Sequence, residues 1–501
     1  MGGLTAGAGS LAFHVEGVHR RSRDYRVPQR FGERRVDGSY NDTSTFSVGG
    51  SWVGPDGYLG VAYTRQRSEY GLPGHSHDYE DCHPHGTHLH CGGHGHDDHD
   101  HDDHDHGHDH DHDDVPFVKL RSERFDIRSE YRDPLPGFER VRFRMSFTDY
   151  AHDEIEHGEI GTTFRNKAHD LRFELTHKPI AGMRGVFGVQ HSDSKFSSAG
   201  PHEAFIPESE TRNTALFLME TLQAGPVRLE LAARHEWQSI ETTLNRKVSH
   251  RPFSLSGAAI WDIGGEYSLA LSLARSQRAP NVQEVFADGN HLATNSYELG
   301  TATLGKETGK SIDLTFRKTS GATTFTIGAY HQDFDNYIFA RTLDTSDDGG
   351  YRLIQYTAAD ARFTGVDGEV RQQLTPDVGV SLFGDYVRAR LKGGLGNLPR
   401  IPAGRLGARA DGRVGPLSAD LEYYHVFEQG KTAAFEAPTP GYDMLNATLA
   451  YRLELGPKAH AELFVRGTNL TNALALNHAS FIKNASPLRG RNFVIGLRAG
   501  F

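Results

Sequence analysis

The residues best suited to chemistry lie in one stretch, from His75 to Asp114, which holds fifteen of the thirty histidines, thirteen carboxylates and no lysine or arginine. Neutral imidazole and carboxylate groups suit zinc and its first-row neighbours, and their alternation gives a mobile chain many overlapping ligand sets. We therefore predict that this stretch gathers divalent metal ions with little selectivity. The alternatives are a merely solvated acidic loop or a purification tag, although mixed His–Asp spacing inside a chain is not typical of tags.

The predicted ligands are all the histidines of this segment, which we name the capture loop (residues 71–116): His75, His77, His83, His85, His88, His90, His94, His96, His99, His101, His104, His106, His108, His110 and His112. Imidazole binds metal only when it is neutral, so capture should weaken as the pH drops through about 6.5.

The chain has two cysteines, Cys82 and Cys91, and both lie in the capture loop. In an oxidising compartment a disulfide between them would close a small loop and hold the neighbouring histidines together. We favour this disulfide. Ligation of metal by the two thiolates is the alternative, and it would need a reducing environment or bound metal to persist.

The formal charge of −11 also comes from the capture loop, because the rest of the chain carries 54 basic and 52 acidic residues. A nearly neutral body gives no support to a nucleic-acid-binding role. No Ser-His-Asp or paired-carboxylate arrangement has an interpretable spacing, so we do not expect an enzyme. The first residues lack the features of a secretory signal, which indicates either a mature protein or a missing N-terminal part.

The body of the chain has the pattern of β-strands. Apolar residues make up 37% of the sequence, and no run of about eighteen apolar residues could form a membrane-spanning helix. Apolar and polar or small residues alternate instead, for example over 140–149, 227–233 and 267–274. Each such segment predicts a strand with one apolar face and one polar face.

The connections between these strands alternate in length. Short Gly/Pro-rich turns lie at 54–57, 134–137, 179–182, 224–226, 263–265, 320–321, 376–377, 415–416 and 456–457. Longer polar loops lie near 24–42, 71–116, 150–159, 194–209, 240–251, 278–306, 342–350, 390–400, 428–441 and 470–488. About twenty antiparallel strands with short turns at one rim and long loops at the other predict an all-β transmembrane β-barrel of the bacterial outer membrane. A soluble all-β protein would have no reason to segregate its loop lengths.

The last strand supports this prediction. Phe493, Ile495, Leu497 and Ala499 alternate with more polar or smaller residues, and the chain ends on Phe501. An amphipathic final strand that closes on an aromatic residue resembles the assembly signal of bacterial outer-membrane proteins. An edge strand that happens to end in Phe is the alternative.

Several motifs resemble the barrel of TonB-dependent receptors. They are the segments 276–280 (SQRAP), 284–286 (EVF), 289–294 (GNHLAT), 297–300 (YELG), 304–307 (LGKE), 364–369 (TGVDGE) and 467–472 (GTNLTN). Together with a His-rich loop that contains a cysteine pair, they make the chain most similar to the zinc-uptake (ZnuD-like) receptors. The resemblance extends over essentially all 501 residues.

This resemblance implies a signal peptide, a TonB box, a globular plug and then a barrel of twenty-two strands. Counting back from Phe501 reaches about twenty strands, with the segment 11–25 as roughly the third. We therefore expect residues 1–501 to be an N-terminally truncated barrel without plug, coupling box or first strands. A complete receptor would depend on the TonB–ExbB–ExbD system, and a barrel this wide without a plug would have an open or collapsed lumen.

The resemblance also implies a discrete zinc site below the loops, with ligands from plug and barrel. The barrel ligands of the family correspond here to Glu154, in the segment 149–154 (DYAHDE), and to His291. His152 and His157 are close enough in sequence to assist Glu154. Without the resemblance, Glu154 and His291 would be unremarkable polar loop residues.

The sequence thus predicts an outer-membrane receptor that takes up a divalent transition metal, with zinc favoured over nickel, copper or cobalt. The alternatives are a passive porin or a surface barrel that sequesters metal, and a receptor for haem or a metallophore. The expected partners are the metal ion, outer-membrane lipid and, for the complete receptor, the TonB system.

Overall fold

The structure is a computed structural model that describes residues 1–74, 79, 82–91, 115–200, 205–457 and 459–501, with Leu292 described in its backbone only. The strands of the first half are β1 (Gly2–Ala8), β2 (Leu11–Ser22), β3 (Asn41–Val53), β4 (Gly57–Gly71), β5 (His83–His85), β6 (His88–His90), β7 (Phe117–Arg132), β8 (Phe138–Glu156), β9 (Glu159–His177), β10 (Met183–Ala199), β11 (Ser209–Ala224), β12 (Val227–Thr242) and β13 (Lys247–His250).

The strands of the second half are β14 (Phe253–Gly264), β15 (Tyr267–Arg278), β16 (Asp288–His291), β17 (Ser296–Leu299), β18 (Glu307–Lys318), β19 (Thr323–Thr345), β20 (Arg352–Thr375), β21 (Val378–Leu391), β22 (Arg405–Val414), β23 (Leu417–Val426), β24 (Tyr442–Glu454), β25 (His460–Thr468) and β26 (Asn492–Gly500). The helical segments are α1 (Val282–Phe286) and 3₁₀ turns at Gln29–Phe31 and Leu292–Thr294. Across the described residues, no helix has the length and apolar character needed to cross a bilayer.

Twenty-one of the 26 described strands follow one another as an antiparallel meander; β5, β6, β13, β16 and β17 lie in its loops. The predicted transmembrane antiparallel β-barrel of about twenty strands is confirmed. The strand that sequence reasoning missed is β1, whose Gly/Ala-rich segment has no apolar alternation. It nevertheless pairs with β2 through its backbone, from Gly2↔Gly17 to Ala8↔Leu11.

The predicted two-faced strands are present. Large apolar side chains stand exposed on one face of successive strands, such as Leu216 (53% exposed), Leu231 (61%) and Ile495 (74%). Such a continuous apolar exterior requires a hydrocarbon surrounding, with the alternate side chains turned to the lumen.

The alternation of short turns and long loops is also present, with one exception at the predicted loop 150–159. β8 continues to Glu156 and β9 begins at Glu159, so His157 and Gly158 alone form the connection. Both have positive φ, 51° and 76°, as a two-residue turn that matches the twist of a hairpin requires. The prediction of a long loop was wrong because it relied on apolar alternation. Strands that project beyond the lipid keep their pairing but need no apolar face, so their outer ends resemble a polar loop in sequence.

The long loop after β15 folds back onto the barrel wall. Asn281 caps α1, with its side chain and that of Glu284 bonded to each other's backbone N–H. β16 and β17 then form a hairpin, and β17 pairs in parallel with β20 over four residues, from Ser296↔Arg352 to Leu299↔Gln355. The loop is therefore part of the sheet rather than a free segment, and it carries His291 at a fixed position.

Candidate functional site

The outer part of the candidate site is a small hairpin formed by β5 and β6. Cys82 and Cys91 are joined by a disulfide at its base, with an Sγ–Sγ distance of 2.02 Å. Directly across the ladder lie the pairs His83↔His90 and His85↔His88. Since alternate residues of a strand share a face, all four histidines stand on one exposed face. The rings of His83 and His90 lie 5.5 Å apart, edge to face.

The remaining predicted ligands of the capture loop lie outside the described residues. They are His75, His77, His94, His96, His99, His101, His104, His106, His108, His110 and His112.

The hairpin is held down by the connection between β19 and β20. The backbone N–H of Leu89 donates to Oδ2 of Asp344 at 2.9 Å, and Nδ1 of His88 lies 3.4 Å from the same oxygen. Just before the hairpin, the Tyr79 hydroxyl donates to Oδ2 of Asp348 at 2.5 Å, and its ring packs 5.3 Å from that of Tyr351. The docked hairpin therefore has a defined place above the barrel, with its histidines turned outward.

The inner part of the candidate site is centred on His291, at the end of β16. Its Nδ1 lies 2.7 Å from Oε1 of Glu298, a carboxylate that is only 1% exposed. The other oxygen of Glu298 accepts hydrogen bonds from Nε2 of Gln283 at 2.6 Å and from the Tyr356 hydroxyl at 3.0 Å. A carboxylate at Nδ1 fixes the proton there, which leaves Nε2 as the nitrogen that can bind a metal.

The ionisation of Glu298 follows from these contacts. Burial acts to raise the pKa of this carboxyl, but the hydrogen bond and charge of His291, with the bonds from Gln283 and Tyr356, outweigh burial. The pKa of Glu298 is therefore lowered from its ordinary value, and the group stays a carboxylate that anchors the imidazole.

Glu154 and His152 lie on the lumen face of β8 near its outer end, and Glu154 is only 7% exposed. Ring contacts lead from His152 to His291: His152 stacks on Phe164 at 4.5 Å, Phe164 lies edge to face with Phe205 at 6.1 Å, and Phe205 stacks on His291 at 4.6 Å. His291 is close enough to act electrostatically on both His152 and Glu154. Nδ1 of His152 is buried and has no hydrogen-bond partner among the described residues.

The structure thus brings Glu154, His152 and His291 into one region, whereas His157 lies at the exposed tip of the β8–β9 hairpin. In the described part of the chain, no three His, Cys, Asp or Glu side chains are close enough together to hold a metal ion as they stand. The three residues therefore lie in one region but do not form a metal centre as they stand.

Sequence reasoning missed Glu298, although it falls within one of the quoted motifs. The signal that could have found it is the β16–β17 hairpin register. Glu298 pairs directly with Gly289, two residues before His291, so its side chain reaches the histidine diagonally across a position without a side chain.

A second polar cluster lies among the outer loops. Nε2 of His478 is 3.2 Å from Oε1 of Glu436, and the backbone N–H of Arg400 donates to the same carboxylate oxygen at 2.7 Å. Burial lowers the pKa of Lys483, and Arg352 adds to this effect while Glu436 opposes it. Nη1 of Arg352 is buried without a hydrogen-bond partner in the described residues. The charge of Glu436 thus acts on three cations, Arg352, Arg400 and Lys483.

Comparison with known proteins agrees with this geometry. A family model described as a TonB-dependent receptor-like β-barrel matches residues 30–470. The chain is similar in structure to the copper transporter OprC, with a TM-score of 0.80, 15% identity, and coverage of 99% of this chain and 79% of that one.

Two further solved structures show the same likeness. The FrpB iron transporter from Neisseria meningitidis (F3-3 variant) has a TM-score of 0.76 at 11% identity, over 99% of this chain and 78% of that one. The siderophore receptor PirA from Pseudomonas aeruginosa has a TM-score of 0.65 at 14% identity, over 99% of this chain and 75% of that one. At these identities the likeness concerns the fold.

Proposed function

The chain belongs to the family of TonB-dependent receptors, whose β-barrels lie in the bacterial outer membrane, and from this premise we propose that it takes up a divalent transition metal, with zinc as the favoured cargo. The observation that carries the proposal is the disulfide-closed hairpin, which presents His83, His85, His88 and His90 on one exposed face. Imidazole nitrogen is a preferred ligand of zinc, and pairing across a ladder reduces the entropy lost when two rings bind one ion.

The first step of the proposed uptake is capture at the surface. The His/Asp-rich segment after Cys91 collects the ion, and the hairpin receives it on rings that the pairing of β5 with β6 holds side by side. Weak ligation is an advantage at this step, since an ion held too tightly outside would not move inward.

The second step is transfer toward His291. The Tyr351 hydroxyl donates to Oδ1 of Asn290 at 2.6 Å, and Tyr351 packs against Tyr79 beside the hairpin. The Asn295 side chain also donates to the carbonyl of Gly74, at the base of the capture loop. These contacts connect the hairpin with the loop that carries the inner site, so the ion has a short path between them.

The third step is binding at the inner site by Nε2 of His291 and the Glu154 carboxylate, with His152 nearby. A nitrogen and an oxygen donor from two parts of the wall suit zinc, and further ligands would complete its tetrahedral shell. In this proposal the TonB system then supplies the energy for release into the periplasm.

A second candidate cargo is a metal chelate that carries negative charge. Arg352, whose Nη1 is buried without a hydrogen-bond partner in the described residues, favours it together with Arg400 and Lys483, because three cations that share the one carboxylate of Glu436 suit an anionic ligand. This candidate predicts that iron citrate or an iron catecholate binds and that zinc alone does not.

Calorimetric titration of the purified barrel with zinc tests the first proposal. We expect a weak class of sites that is lost on removal of 92–114 and substitution of the four hairpin histidines by Ala. A tighter class should weaken on the order of 100-fold, about two lost ligand contacts, in the variant E154A/H291A. The matched control is D149A/H331A, which also removes one carboxylate and one imidazole, but from strand positions outside the inner site.

The proposal is overturned if the hairpin and loop variants bind zinc like the wild type, or if the control loses as much affinity as E154A/H291A. Binding of the iron chelates in place of zinc, with loss in an R352A/R400A variant, would support the second candidate instead.

A further inference from the structure

The outer surface of the barrel between β3 and β9 carries its side chains in rows, because residues paired across neighbouring strands share one face. One row is aromatic. Tyr63 of β4 pairs with Phe125 of β7, which pairs with Phe147 of β8. Exposed aromatic rings at one height on a barrel exterior are typical of the boundary between hydrocarbon and headgroups.

The next row outward carries charges that neutralise one another. Nε of Arg65 lies 3.4 Å from a carboxylate oxygen of Glu123, and Nζ of Lys167 lies 3.5 Å from one of Asp149. This row needs no further partner.

The row above it is different, because it consists of like charges. Arg67 pairs with Arg121, Arg121 pairs with Ala151, and Ala151 pairs with Arg165. Like charges directly opposite each other destabilise a sheet, and all three arginines are exposed on this outer face. Within the described residues, no carboxylate lies within ion-pairing distance of any of the three. The row therefore lacks an anion that would balance it.

The small side chain of Ala151 leaves space between the arginines. A hollow of about 610 Å³ lies there. Its lining contains four basic residues, Arg67, Lys119, Arg121 and Arg165, and three acidic ones, Asp42, Glu69 and Asp153. Below it, a second hollow of about 470 Å³ is lined by Tyr63, Phe125 and Phe147, together with charged residues that include Lys167, Asp149 and Glu123. The wall thus has a recess with an excess of basic residues above an aromatic one.

The height of the two recesses fits the outer leaflet. The arginine row is four residues beyond the aromatic row, about 13 Å along the strands at roughly 3.3 Å per residue. An arginine in the hydrocarbon would cost about 2–4 kcal/mol, so this row lies outside the hydrocarbon layer.

We propose that this surface binds a phosphorylated glycolipid of the outer leaflet. A phosphate group lies between Arg67, Arg121 and Arg165, and an acyl chain runs down over Tyr63, Phe125 and Phe147. Guanidinium groups bind phosphate oxygens through two parallel hydrogen bonds, and the phosphate removes the repulsion between the paired arginines. The lumen face of the same strands carries His152 and Glu154, so the lipid would stiffen the wall behind the inner site.

Native mass spectrometry of the complete chain, purified in detergent and titrated with bisphosphorylated lipid A, tests this proposal. The variant R67A/R121A/R165A should bind the glycolipid on the order of 100-fold more weakly, at about fivefold per arginine. The matched control R132A/R184A/R413A removes three exposed arginines near the short turns and should bind like the wild type. The variant R67K/R121K/R165K keeps the charge but loses the paired hydrogen bonds, so its affinity should lie between those of the alanine variant and the wild type.

Two further arms separate the sources of phosphate and guard against a folding defect. The wild type should bind lipid A that lacks its phosphates only weakly, with an affinity similar to that of the alanine variant for intact lipid A. Inorganic phosphate alone should not compete with lipid A at millimolar concentration. Raising the salt to 0.5 M, a chosen condition at which screening is strong, should weaken wild-type binding severalfold. Equal binding by the alanine variant, indifference of the wild type to salt and to lipid phosphates, or an equal loss in the control would each overturn the proposal.

Discussion

The hairpin of the capture loop and the inner cluster around His291 both present histidines, but they hold them differently. In the hairpin, four rings stand on an exposed face, and Nδ1 of His88 lies 3.4 Å from a carboxylate oxygen of Asp344. In the inner cluster, His291 is fixed by Glu298, which is itself held by Gln283 and Tyr356. The difference shows how one chain can hold histidines loosely in one region and tightly in another.

The largest expected effect is that of removing the anchor of the tight region. In Glu298→Gln the amide cannot hold the Nδ1 proton of His291 as a carboxylate does, so zinc affinity at the inner site should fall 10- to 100-fold, as is usual for lost partners of a metal-binding histidine. Calorimetry measures this effect. Glu159→Gln, at the exposed tip of the β8–β9 hairpin, is the control and should bind zinc like the wild type. Unchanged zinc affinity in Glu298→Gln would mean that Glu298 does not make the inner region tighter than the hairpin.

The next effect concerns the order of the loose region. The disulfide between Cys82 and Cys91 closes a loop of about ten residues, whose closure entropy in the chain-entropy model is about 2.5 kcal/mol. In C82S/C91S, zinc binding by the hairpin should weaken up to roughly 50-fold, while inner-site affinity stays constant. Chemical reduction of the wild type should reproduce the result. A loss at the inner site would show that the two regions are not independent.

A smaller effect is expected at the contact that docks the hairpin. Asp344→Ala removes the acceptor of the Leu89 N–H and the partner of His88, a hydrogen bond to a charged group that is worth about 1.5–3 kcal/mol. Amide hydrogen exchange over 83–90 should accelerate about tenfold or more. Asp347→Ala, an exposed neighbour, should leave the exchange rate as in the wild type. Equal protection in both variants would mean that other contacts dock the hairpin.

The smallest effect is expected from mild acid on the inner loop. Because the pKa of Glu298 is lowered in the folded protein, its stabilisation is complete above the unfolded value, about 4.3, and is lost as the pH falls through the lower folded value. Exchange protection over 288–299, corrected for intrinsic rates, should therefore stay constant from pH 7 to pH 5. Loss of protection between pH 6 and pH 5 would mean that a histidine, not Glu298, controls this loop.

Much of the fold could be predicted because two solvents impose it. Hydrocarbon outside and water inside require alternation along each strand, and the antiparallel meander requires turns and loops at opposite rims. The prediction failed where one of these conditions is missing. β1 has glycine and alanine in place of an apolar face, and the outer ends of β8 and β9 extend beyond the lipid, where no apolar face is needed.

The candidate site was less predictable. The histidines of the capture loop follow from composition, whereas Glu154 and His291 were found through resemblance alone. Glu298 and Asp344 depend on pairing that composition does not contain. The Leu89–Asp344 bond joins residues 255 positions apart, and the Glu298–His291 contact depends on the register of a hairpin of four-residue strands. Local patterns specify neither.

The parallel pairing of β17 with β20 has a consequence for how this protein can change over time. Glu298 sits opposite Ile354 of the wall on one side and Gly289 of β16 on the other, so its position is inherited from the sheet and not from the exposed tips. Substitutions in the outermost segments that prevent recognition by antibodies or phages would not move the imidazole of His291, because Glu298 holds it in place. The exposed tips and the position of His291 can therefore evolve separately in this receptor.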